Sequence, residues 1–220
     1  MTIRKIILNR IPSQDEVLTI GKSGFTFGAN FIKGNKLENK KSISFFSNDE
    51  DTYWLGFQFF DETGNPDSLG LMSRKGSSTR GIKGSELINN NRILKAIQNE
   101  SLKADRMFPI DFDKNNSCYF ILLRPSFETK IQFEKKSEIP AETKGIYRYR
   151  DQKNSVIYIG KGDIKDRAAD AQRRDWGIRD IEYSIINNDE KCYYWESYYI
   201  DQYIRAFGAK PPLNRIAGHG

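Results

Sequence analysis

One histidine in 220 residues, His219, beside the C-terminal glycine, leaves almost no room for histidine-based acid–base or metal chemistry. Two cysteines, Cys118 and Cys192, stand far apart in apolar runs. They exclude a disulfide scaffold and a thiolate metal site, read as small buried apolar residues, and suit a reducing, cytoplasmic setting. No apolar run approaches the ~20 residues that a bilayer-spanning helix needs. Residues 1–16 hold one short apolar patch and then charge, which is not a signal-peptide pattern. Internal repeats, low-complexity tracts and blocks of one charge are missing too. The formal charge is +6 and the isoelectric point about 9.1. Residues 1–138 carry 21 Lys+Arg against 17 Asp+Glu, and residues 139–220 carry 14 against 12. That balance suits a polyanionic partner, but any contact surface must come from local clustering.

What is present is enough for a folded core: 38% hydrophobic and 29% charged residues. Residues 43–47 and 53–60 are aromatic and strand-like. Residues 61–67 form a strong turn, and 68–73 read as the returning strand of a hairpin. The loop 73–84 contains Arg74, Lys75, Arg80 and Lys83 and no acid. Ser85, with Glu86 in the first turn, predicts a capped helix with Leu87, Ile93, Leu94 and Ile97 on its buried side. Residues 117–123 are another strand. The expected organisation is a β-rich α+β domain over residues 1–138, with a polar linker at 134–144 containing Pro140.

The C-terminal third predicts strands at 144–150 and 155–160, a helix from the Asp163 cap to about 174, a strand at 181–186, and a helix from 191 to about 207 closed by Gly208. Pro211-Pro212 then blocks helical continuation. With 151–154 as the hairpin loop, Arg150 pairs with Ser155 and Tyr147 lies directly opposite Tyr158. Ile164, Arg167, Ala168 and Ala171 share one helical face. Tyr193, Glu196, Ile200, Tyr203 and Phe207 share another. A charge on an apolar stripe needs a partner, a metal or a ligand. A mutual Arg167–Glu196 ion pair is one explanation, and an active site is the other.

Gly145-Ile146-Tyr147 and Tyr158-Ile159-Gly160 are separated by ten residues. Arg167 follows Gly160 by seven, Glu196 lies on a later helix, and Leu213-Asn214 comes near the end. Together these features resemble the GIY-YIG nuclease domain over residues 139–220. The resemblance implies a small three-stranded antiparallel sheet flanked by helices, and metal-dependent hydrolysis of phosphodiester bonds in DNA with one Mg²⁺ or Mn²⁺ per site. It gives Tyr147 the attacking water, and Tyr158 a hydrogen bond to that water or to the scissile phosphate. Arg167 would hold the phosphate, Glu196 would ligate the cation, and Asn214 would brace the site or touch phosphate. Lys161, next to the second motif, is a cation able to favour a Tyr147 phenolate. Many members carry histidine or tyrosine one helical turn after the arginine; here that position is Ala171, and Arg173 or Arg174 could reach phosphate instead. Residues 1–138 would choose the target, contacting it through Arg74, Lys75, Arg80 and Lys83, as in a restriction-type, mobile-element or phage-defence enzyme. Cutting both strands would call for a homodimer, two sequential nicks or reorientation. The alternatives are a non-catalytic nucleic-acid-binding module and a nuclease brought to DNA by a protein partner.

Overall fold

Strands too short to show a period of their own build most of the first unit. The structure, a computed structural model, describes residues 16–49, 51–64, 66–73 and 78–215, so Arg74, Lys75 and His219 lie outside the described residues. The chain divides into two compact units, residues 1–123 and 124–220. In the first, β1 (Val17–Gly21), β2 (Gly24–Phe27), β3 (Ser42–Ser47), β4 (Trp54–Phe60), β5 (Leu69–Ser73), β6 (Arg80–Lys83), β7 (Met107–Pro109), β8 (Asp111–Asp113) and β9 (Cys118–Leu122) form one sheet. Its order is β7-β1-β2-β6-β5-β3-β4-β9-β8, with every neighbour pair antiparallel. β7, at one edge, comes back against β9, so the sheet curls nearly into a barrel. Phe27 sits in its core, 5.9 Å from the ring of Phe31, 5.2 Å from Phe57 and 5.1 Å from Phe59.

Three short helices accompany this sheet: α1 (Ala29–Gly34), α2 (Ser85–Asn90) and α3 (Arg92–Gln98). The single helix expected from Ser85 is two helices. Asn91 breaks it, because its side chain accepts the N–H groups of Ile93 and Leu94 at 3.0 and 3.1 Å and caps a new start. Ser85 is not the cap; Gly84 precedes the helix and no side chain caps it. The expected hairpin from 53–60 into 68–73 is also absent. β4 pairs with β3, and β5 pairs with β3 on the opposite side, so the turn at 61–67 crosses over β3.

The second unit contains β10 (Thr129–Gln132), β11 (Lys144–Asp151), β12 (Val156–Asp163), α4 (Ile164–Ala169), β13 (Ile178–Ile185) and α5 (Asp189–Phe207). The strands are antiparallel in the order β10-β13-β11-β12. This overturns the expected fold class. The protein is mostly sheet, a nearly closed nine-stranded sheet and a four-stranded one, and not an α+β domain followed by a small three-stranded sheet flanked by helices. The fourth strand was hidden because Thr-Lys-Ile-Gln has a single apolar residue, and its pairing with β13 is a tertiary choice. It also draws residues 124–138 into the second unit. The division therefore falls before the expected 138/139 boundary, and Phe133–Glu138 is a 3-10 helix inside the unit instead of linker.

Local chemistry explains the helix ends. The Asp163 carboxylate accepts the Asp166 N–H at 2.9 Å, and Asn188 accepts from Lys191 at 2.9 Å. Gly208 closes α5 in the left-handed region at φ 73°. Strand alternation sorts the sheet into two faces. Tyr147, Tyr149, Tyr158, Ile181 and Tyr183 pack on one. Arg148 and Glu182, directly opposed, lie on the other, where Glu182 Oε2 accepts from Arg148 Nε at 2.5 Å and from Arg150 Nε at 2.8 Å. Both cysteines are buried and unbridged. Among the described residues no helix is long and apolar enough to cross a membrane.

Two outcomes follow. A β-carbon at Gly145 would run into the Ser184 carbonyl oxygen on β13, whereas one at Gly70 would meet nothing within 4 Å. Gly145→Ala should therefore cost about 1–3 kcal/mol in urea or thermal unfolding, and Gly70→Ala should not. Burial pushes the Glu182 carboxyl up, but Arg148 and Arg150 outweigh it and hold it below its ordinary 4.5. A carboxyl depressed by folding stabilises above its unfolded value and loses that contribution as pH falls through its folded value. Stability should thus decline as pH drops below 4.5, and Glu182→Gln should flatten that limb in a pH series of unfolding midpoints.

Candidate active site

The β11–β12 hairpin decides which side chains meet. Its register differs from the expected one by two residues: Tyr147 lies opposite Gly160, and Tyr149 opposite Tyr158. The turn explains the shift. Asp151 Oδ1 accepts the N–H groups of Lys153 and Ser155 at 2.9 and 2.8 Å, Asn154 takes φ 65°, and a bulge follows Tyr149. Loop and bulge each add one residue. A shift of two preserves the face, so Tyr147 and Tyr158 remain neighbours, with ring centroids 6.0 Å apart at 29°.

Glycine at position 160 is a requirement of this packing. A β-carbon there would stand 2.8 Å from Tyr147 Oη and 2.5 Å from Tyr158 Cε1. Gly162, two residues on and at φ 116°, continues the bare track on the same face, and a β-carbon there would be 3.6 Å from Arg167 Nε. The Tyr147 hydroxyl and the Arg167 guanidinium are thus brought to one stretch of β12, the edge strand of the sheet.

Arg167 does not sit on a buried stripe. α4 ends at Ala169, before the expected 174, because Asp170 caps a separate 3-10 turn, Ala171–Arg173, by accepting the Gln172 N–H at 3.0 Å. The Arg167 side chain is exposed and makes no hydrogen bond or ion pair among the described residues. Ala171 is exposed as well. The buried arginine is Arg173, only 5% exposed, so it is not a surface phosphate contact. Its Nη1 donates to Tyr149 Oη at 3.0 Å and to Tyr147 Oη at 3.3 Å. Arg174 is exposed.

Glu196 and Lys161 meet each other, not the tyrosines. Lys161 is three residues from Tyr158, so alternation sends it to the opposite face. There its Nζ donates to Glu196 Oε2 at 2.7 Å and lies 3.8 Å over the Tyr193 ring. The alternative of an Arg167–Glu196 ion pair is therefore not realised. Of the α5 stripe expected to be buried, Tyr193 and Phe207 are 62% and 69% exposed, because the helix packs on the sheet through Cys192 instead. Glu196 keeps Oε1 unbonded among the described residues, and its side chain is 19% exposed. A single accessible carboxylate oxygen suits Mg²⁺, which takes one or two carboxylates and fills its remaining positions with water and phosphate oxygens. No cluster of three or more His, Cys, Asp or Glu side chains is placed for a metal among the described residues.

The electrostatics follow the same division. Burial pushes the Tyr147 phenol well above its ordinary value of 10, the phenols of Tyr149 and Tyr158 add to this, and Arg173 and Arg167 pull it back. Lys161, expected to favour the phenolate, is bonded to Glu196 instead, and the cations that favour it are Arg173 and Arg167. Asn214 braces the edge strand: its Oδ1 accepts the Ile159 N–H at 2.8 Å and its Nδ2 donates to the Ile159 carbonyl at 2.6 Å. One amide thereby replaces a missing neighbour strand. In the first unit, Lys83 is exposed and Arg80 half-buried on β6.

Sequence reading missed Tyr149 and Trp176. Tyr149 was available from alternation, two residues after Tyr147. Trp176 carries no local signal; it joins the cluster 5.3 Å from the Tyr158 ring through the chain path after the 3-10 turn.

Asn214→Ala removes both bonds to Ile159 and should cost about 1–3 kcal/mol, with amide exchange at Ile159 accelerating ahead of the sheet interior.

Comparison with known proteins finds no matching family model, no matching curated protein and no matching solved structure.

Proposed function

We propose that this chain is a divalent-metal-dependent endonuclease of the GIY-YIG kind, hydrolysing phosphodiester bonds in DNA. The observation that carries the reading is the glycine track of β12, along which the exposed Arg167 guanidinium lies over Gly162 and the hydroxyl of Tyr147 over Gly160. Arg167 holds the scissile phosphate, which its planar fork suits, and offsets the charge that grows in the transition state. Tyr147 and Tyr158 orient the attacking water on the bare face of the strand. Glu196 would hold one Mg²⁺ or Mn²⁺, which supplies Lewis-acid polarisation of the phosphoryl oxygen and stabilises the leaving 3′ oxygen. Lys161 holds that carboxylate in place until a cation competes for it. The first unit selects the target, with Arg80 and Lys83 as backbone contacts.

A second reading, a nucleic-acid-binding module without cleavage, is favoured by two observations. Tyr147 is only 1% exposed, and the Glu196 carboxylate is already paired at 2.7 Å. In that case Arg167 contacts phosphate and no bond is broken.

Supercoiled plasmid with Mg²⁺ separates the two. The endonuclease gives nicked or linear products, and Glu196→Ala or Tyr147→Phe reduces the rate by about 10²–10⁴-fold while binding persists. Salt-sensitive binding with no product, unchanged in Glu196→Ala, would establish the module instead.

A further inference from the structure

Arg173 is the one buried lysine or arginine among the described residues. Its guanidinium carbon lies 5.2 Å from the ring centroid of Trp176, 5.3 Å from Tyr158, 5.5 Å from Tyr149 and 5.9 Å from Tyr147. Nη1 donates to two phenol oxygens, and Nε is buried without a partner. No carboxylate pairs with it among the described residues. Four aromatic faces soften the cost of burying this cation, but they do not neutralise it. The groups placed to answer the charge are the two phenols whose oxygens it already touches.

We propose that Arg173 is the positioning residue of Tyr147: it fixes the direction of the phenol hydroxyl across Gly160 and is the counter-charge that makes the phenolate attainable. Loss of the hydroxyl proton to water leaves the oxygen with its electron pair, which accepts the Nη1–H bond. The phenolate can then take a proton from an attacking water and return to neutral phenol. The other groups facing Tyr147 act around this pair: Tyr149 from β11 and Tyr158 from β12 oppose the phenolate, Arg167 from α4 favours it, and Asp170 acts on Tyr149 from the residue before the 3-10 turn. Of the two cations only Arg173 touches the oxygen, and Tyr149, which shares a hydrogen bond with Tyr147, is the neutral contact beside it. Its role in turnover rests on the nuclease reading, whereas its hold on the phenol does not.

The test uses the full chain with 3-fluorotyrosine at position 147, whose more acidic phenol brings the titration into reach and whose ¹⁹F resonance reports it directly. Arg173→Met should raise the ionisation midpoint by about one pH unit or more, a factor of about ten. Arg173→Lys, which keeps the charge without the fork, should fall between. In Mg²⁺-dependent cleavage by the natural-tyrosine chain, Arg173→Met should lower kcat by about tenfold or more with KM held within about twofold, displace the pH profile to higher pH, and be partly rescued by Arg173→Lys. Circular dichroism identifies any variant that fails to fold, and Tyr149→Phe, which frees Nη1 for Tyr147 alone, should lower the midpoint and serves as the second arm. An unchanged midpoint in folded Arg173→Met, or in both Arg173→Lys and Tyr149→Phe, would overturn the proposal, as would a rise in KM alone. If the natural chain cuts nothing, the nuclease reading falls, and the ¹⁹F midpoint still decides whether Arg173 governs Tyr147.

Discussion

The crossing of the Tyr147 ring over Gly160 is the contact on which the second unit depends. It is possible only in the register that sets these residues opposite each other, and only because position 160 has no side chain. From it follow the stacking of Tyr147 on Tyr158, the space for Arg173 beneath two phenol oxygens, and the bare strand beside Arg167. Gly145 does comparable work on the other side of β11, where it lets β13 close in through the Ser184 carbonyl. The motif glycines are therefore packing requirements first. The placement of the Tyr147 hydroxyl depends on them.

Alternation then divides the polar groups between two faces. Tyr147, Tyr149, Tyr158 and the arginines at 167 and 173 gather on the α4 side, while Lys161 and Glu196 pair on the α5 side. The strand between them is an edge of the sheet, where both faces are reached without passing through it. An edge strand exposes unpaired backbone groups, and Asn214 satisfies those of Ile159. Under the proposed nuclease reading, an edge site would draw its cation from one face and its phosphate-holding guanidinium from the other.

Burial sets the cost of this arrangement. A phenol 1% exposed resists ionisation, and so does a phenol beside two others. A buried guanidinium without a carboxylate is costly on its own account. Placed together, each reduces the penalty of the other, since the cation favours the phenolate and the phenols supply its hydrogen-bond acceptors. An acid in the same position would have satisfied Arg173 and left Tyr147 with no claim on it.

Much of the second unit was legible in the amino-acid sequence because its signals are local. Alternating tyrosines marked β11, the apolar run around Tyr158 marked β12, Asp163 marked the start of α4, and Gly208 marked the end of α5. In the same way, the spacing of Tyr147 and Tyr158 put them on one face whichever of the two even-numbered registers applied. What the sequence could not supply was long-range. Pairing of the nearly polar β10 with β13, passage of β5 to the far side of β3, and the curling of nine short strands are choices among partners with similar local propensity. Burial of Arg173 and exposure of Arg167 reversed the sequence expectation for the same reason. A 3-10 turn started by Asp170 rotates the chain after α4, and helical periodicity carries no information past the residue where the helix stops.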